Sequence, residues 1–97
     1  MLDFNLQISL LTAAAATYVD DRRVELASTD FANSSEDFVL NITYLKREKL
    51  IDLSSISTRN SPVEGASNYV VARVSITHAG MKTLADLSAV KTVVNKY

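Results

Sequence analysis

The chain has 97 residues, ten basic against eleven acidic, 47% hydrophobic and without cysteine. That length makes a single domain, 1–97, able to bury roughly 60 to 70% of the surface its unfolded chain exposes, and the composition is that of an ordinary globular protein rather than a disordered one. The missing cysteines exclude disulfides, thiolate metal sites and cysteine nucleophiles, which suits a reducing, cytoplasmic setting, and the near-neutral charge supplies no overall field that would draw the molecule to phosphate.

No apolar run approaches the length of a membrane span. The segment LQISLLTAAAA, Leu6 to Ala16, ends in small residues as a signal peptide does, but Asp3 stands where such a peptide is basic and the first cation is Arg22. The spacing predicts instead a buried helix from Asp3 to about Val19. Phe4, Ile8, Leu11 and Ala15 form its core stripe, Leu10 and Ala14 widen it, and Asp3 is the N-cap. Asp20, Asp21, Arg22 and Arg23 interrupt the pattern as mutually pairing surface charges. Val24, Glu25 and Leu26 then alternate like a very short strand. Ser28 or Thr29 caps one brief helical turn containing Phe31, which Asn33 and Ser34 end.

A second long helix, about 34–49, starts at Ser34, whose hydroxyl and the Asp37 carboxylate have capping-box spacing. Phe38, Ile42 and Leu45 recur at steps of four and three and share the inward face, whereas Glu36, Asn41, Tyr44 and Arg47 are assigned outward. Lys46, Arg47 and Lys49 complement the carbonyl end of the helix dipole. Leu50 to Ile56 alternates imperfectly and Tyr69 to Ile76 cleanly, so the two make a hairpin around a tip from Thr58 to Asn68 that holds the only proline, Pro62, and Gly65. Thr77 caps a last helix carrying Met81, Leu84 and Leu87, with Gly80 allowing close approach, and Val90, Val93 and Val94 carry the apolar pattern toward Tyr97.

Two stretches carry a family resemblance. YLKREKLIDL (Tyr44 to Leu53) resembles the basic-rich exit of the recognition helix in MarR-like and PadR-like regulators, and YVVARVSITHAGMKTLADL (Tyr69 to Leu87) is similar to their second wing strand and following helix start. The tail from Ile76 to Tyr97 also resembles small phage and prophage winged-helix proteins. The resemblance implies an α+β winged helix-turn-helix of three to five helices with a two- to three-stranded antiparallel β-wing. It also implies a sequence-specific double-stranded DNA-binding protein, a small transcriptional regulator or phage-type accessory factor. Helix 34–49 would enter the major groove and wing 57–68 would lie on the backbone. Ser35, Asn41, Tyr44, Lys46, Arg47, Arg59 and Asn60 would make the contacts.

Two features depart from that pattern: Lys49 stands where these families place a helix-ending glycine, and Glu36 and Asp37 open the helix where DNA readers carry neutral or basic side chains. The alternative is therefore a winged-helix protein-interaction module that binds no DNA, with the two acids facing a basic partner. The DNA-binding form is expected to be a homodimer through its apolar terminal helices, with the first helix and the Val90 to Tyr97 segment as the seam. His78, the only histidine, has no companion ligands for a metal, and no G-x-S-x-G, phosphate-binding loop or paired carboxylates accompany the serines, so neither a metal, a cofactor nor catalysis is expected.

Overall fold

A computed structural model describes residues 1–20, 22–61 and 68–96, with side chains described up to residue 87. The elements run α1 (Phe4–Ala14), α2 (Thr17–Asp20), β1 (Val24–Ala27), α3 (Ser28–Phe31), α4 (Ser35–Arg47), β2 (Ile51–Arg59), β3 (Tyr69–Ile76) and α5 (His78–Lys96). The chain is thus α+β, with a three-stranded antiparallel sheet in the order β1-β3-β2. One face of that sheet packs on the helices around Leu6, Leu10, Leu11, Phe38, Ile42, Leu45, Ile51, Ala72 and Val74.

The first helix is placed correctly by its cap, since the Asp3 carboxylate accepts the Leu6 N–H at 3.1 Å. Its inward face differs from expectation. Leu6, Leu10, Leu11 and Ala14 are buried, whereas Phe4 is 60% exposed and Ile8 and Ala15 are half-buried. The helix is apolar around most of its circumference, so periodicity alone does not single out the face that meets the sheet. It also stops at Ala14 and resumes at Thr17. Thr17 links the helical segment to the sheet, because its hydroxyl donates to the Ala14 carbonyl at 2.7 Å and accepts the Ile76 N–H at 2.8 Å.

That bond solves a problem set by unequal strands. β1 pairs only with Val71 to Val74, from Ala27↔Val71 to Val24↔Val74, so β3 extends past it at both ends. Thr17 receives the Ile76 N–H at one end, and the Ser28 hydroxyl receives the Val70 N–H at 3.0 Å at the other. Buried amides are thereby paired where the neighbouring strand has run out. Ser28 is accordingly not the cap of α3; Ala27 occupies that position, without a side-chain bond.

The imperfect alternation of β2 also has a structural cause. The register shifts between Leu53 and Ser55, leaving Leu53 opposite Val74 and Ile56 opposite Ala72, so two apolar residues three apart face the same side. Of the expected hairpin tip, 58 and 59 belong to β2, and Pro62 to Ser67 lie outside the described residues.

The exit from α4 is a Schellman turn built on Lys49, which adopts φ 61°. The Leu50 N–H reaches back to the Leu45 carbonyl at 3.0 Å and the Lys49 N–H to the Lys46 carbonyl at 2.9 Å. The chain passes from there straight into β2. α5 then docks on the same corner: Thr77 donates its hydroxyl to the Lys49 carbonyl at 2.7 Å and its N–H to the Leu50 carbonyl at 3.2 Å, while its side chain caps the Gly80 N–H at 3.0 Å. A Cβ on Gly80 would lie 2.1 Å from the Leu50 carbonyl oxygen, a backbone atom with little room to move.

Two substitutions test this corner by urea unfolding. Gly80→Ala is expected to lower stability by about 2 to 3 kcal/mol through overpacking, although alanine is the better helix former. Lys49→Gly is expected to raise it by roughly 0.5 to 1 kcal/mol, because glycine adopts the left-handed conformation without the Cβ penalty.

Candidate functional site

The surface singled out by the sequence is the outward side of α4 with the adjoining hairpin. The Ser34 hydroxyl starts this helix by accepting the Asp37 N–H at 3.1 Å. The Asp37 carboxylate is turned elsewhere, taking a 2.6 Å bond from the Met1 ammonium. That bond, reinforced by the ammonium's charge, holds the Asp37 carboxyl below the usual carboxylate range. Phe38, Ile42 and Leu45 are buried as expected, at 0%, 0% and 1% exposure.

Asn41 departs most from the sequence-based assignment. It is 0% exposed and is therefore no DNA contact. Its Nδ2 donates to the carbonyls of Met1 at 3.1 Å and Asp37 at 2.8 Å, and its Oδ1 accepts from the Asp3 N–H at 2.8 Å and Gln7 Nε2 at 3.0 Å. Both donors and both lone pairs of the amide are used. The residue fastens the N-terminal segment and α1 to α4. The signal was present in the spacing, since Asn41 lies three residues after Phe38 and four before Leu45, on the buried stripe, and only its polarity argued outward.

Tyr44 is half-buried rather than outward. It lines, with Phe4, Gln7, Ile8 and Leu50, a small cleft of ≈ 190 Å³ between α1, α4 and α5. Ser35 is half-buried, its hydroxyl 3.5 Å from that of Ser28. Lys46 and Arg47 are exposed, as is Asn60 just beyond β2. What stands opposite the core is a stripe of Glu36, Leu40, Thr43 and Arg47, with Leu40 43% exposed. Beside it Val39, Leu40, Thr43 and Val70 form the apolar lining of an open groove of ≈ 550 Å³ that also touches Ser35 and Glu36. A second, polar cleft of ≈ 560 Å³ lies past the helix start among Ser28, Asn33, Ser34, Ser35, Asn68 and Tyr69.

Arg59, expected at the wing tip as a phosphate probe, is engaged within the sheet. Its Nη2 lies 3.3 Å from both carboxylate oxygens of Glu25, so the pair joins β2 to β1 across β3. The register puts Val71 beneath this diagonal, on the face away from the helices, and it is only 5% exposed. An ion pair this exposed contributes about 0 to 1 kcal/mol, but it directs the arginine's charge along the sheet instead of outward. Arg22 pairs with Asp20 at 3.6 Å, as the sequence suggested, and Arg23 donates to the Ser75 hydroxyl at 3.2 Å. His78 stacks on Tyr18, its Nδ1 2.8 Å from the phenol oxygen. Among the described residues no group of three His, Asp or Glu side chains is arranged to hold a metal, and no helix is long and apolar enough to cross a membrane.

Comparison with family models, with curated proteins and with solved structures gives no match.

Asn41→Leu separates an internal fastener from a DNA contact. It keeps the volume but strands the Asp3 N–H and the Gln7 amide. A fully buried group left unpaired costs about 1 to 3 kcal/mol and a partly buried one less, so the expected loss in urea unfolding is about 1 to 3 kcal/mol. Faster amide hydrogen exchange at Asp3 should accompany it.

Proposed function

We propose that the chain is a protein-interaction module of winged-helix type, whose partner is received by the outward side of α4 and the neighbouring β2–β3 hairpin. The succession of α3, a turn, α4 and an antiparallel hairpin is compatible with that layout. The observation that carries the reading is the composition of the outward stripe. A helix that reads duplex DNA aims donors and cations at base edges and phosphates. α4 instead offers a carboxylate at Glu36, an exposed aliphatic side chain at Leu40 and a hydroxyl at Thr43 before its first outward cation, Arg47. Of the donors expected to contact DNA, Asn41 is consumed inside the fold and Arg59 faces Glu25. The apolar groove beside Leu40 suits a protein side chain, since interfaces centre on desolvated apolar contacts ringed by polar groups.

A second reading, sequence-specific binding of double-stranded DNA by a transcriptional regulator, is favoured by one observation: Lys46, Arg47 and Lys49 are all exposed at the end of α4. Titration with random duplex DNA at low and moderate salt separates the two. The interaction module is expected to show no binding even at low salt. Binding that falls steeply as salt rises, as counterion release dictates, and that weakens in Arg47→Ala, would overturn the proposal in favour of DNA.

A further inference from the structure

Resting on that reading, we propose that the partner is a second copy of this chain, with α4 packed antiparallel against α4 of that copy about a two-fold axis beside the helix midpoint, between 41 and 42. Glu36 and Arg47 lie equally far from this midpoint, and so do Leu40 and Thr43. These four residues are the stripe opposite Phe38, Ile42 and Leu45, so they share one line along the outside of the helix. A two-fold rotation therefore sets Glu36 against Arg47 of the second copy at both ends. Leu40 and Thr43 of each copy meet around the axis.

The charge pattern selects this arrangement. Glu36 is the acid of the first turn on the outward stripe, Asp37 being paired with the Met1 ammonium, while Lys46 and Arg47 occupy the last turn. Side by side in parallel, two such helices would bring acid to acid and base to base; antiparallel, Glu36 and Arg47 each meet their opposite, and the helix dipoles oppose as well. The apolar surface at the centre is what pairing removes from water: Leu40, 43% exposed, with half-buried Val39 in the open groove at its side. A contact limited to one helix pair of this length is smaller than a standard interface, which places its dissociation constant in roughly the micromolar range.

Sedimentation equilibrium of the whole chain, from low micromolar to near-millimolar concentration, tests the proposal. The expected result is a monomer–dimer equilibrium that weakens with salt. Leu40→Glu should abolish the dimer, and Glu36→Arg or Arg47→Glu should each weaken it about tenfold or more by placing like charges opposite one another. The double variant carrying both charge changes should recover most of the loss, since the swapped charges meet again across the axis. All these positions are exposed, and an unchanged far-ultraviolet circular dichroism spectrum verifies that the variants are folded. A chain monomeric at every concentration overturns the second copy as partner, as does a dimer that Leu40→Glu and the charge changes leave intact. A monomer without affinity for duplex DNA keeps the interaction module but not this partner; a monomer with salt-steep DNA affinity removes both.

Discussion

The arrangement of helices on the sheet depends on the backbone corner at Lys49 and Leu50. Between the end of α4 and the start of β2 there is no loop to absorb a change of direction, so a single left-handed residue turns the chain. Its neighbours then use the polar groups on both sides of the turn. Leu50 closes the helix through its N–H, and the Lys49 and Leu50 carbonyls receive the side chain and backbone of Thr77. The last helix is positioned by the same two residues that end the second long one. Gly80 belongs to this corner as much as Lys49 does, because the close approach it permits is to the Leu50 carbonyl.

Most of the architecture was legible because it is written in local chemistry. Asp3 and Ser34 accept the amides that their spacing suggested, and the inward trio of α4 and the clean alternation of β3 are both preserved. The irregular pattern of β2 was also informative, since the register shift at Leu53 and Ser55 is what spoils its alternation. Three features resisted because they depend on partners distant in the chain. The inward face of α1 is decided by where the sheet lies. The hydroxyls of Thr17 and Ser28 are recruited by overhanging amides of β3, 59 and 42 residues away. Asn41 sits on the buried stripe by its spacing, but the atoms it joins lie 34 to 40 residues distant, and its polarity alone pointed outward.

These distant contacts bear on function through subtraction. Of the side chains that a winged-helix pattern would aim at DNA, the structure turns Asn41 inward, half-buries Tyr44 and Ser35, and ties Arg59 to another strand. The outer stripe of the helix then consists of an acid, an aliphatic, a hydroxyl and a base in order. Of the surface expected to form a dimer seam at the termini, Phe4 does stand outward, whereas Leu6, Leu10 and Leu11 go to the chain's own core, and the side chains from Val90 to Tyr97 lie outside the described residues.

The irregularity in β2 has a further consequence. This nine-residue strand forms one border of the sheet, where unpaired backbone groups invite a stray strand to add on and begin a fibril. The displaced register interrupts the straight run of hydrogen-bonding groups near its middle, and exposed Asp52 brings charge to one end. Open-ended zippering along that border, which has no natural end point, is thereby hindered.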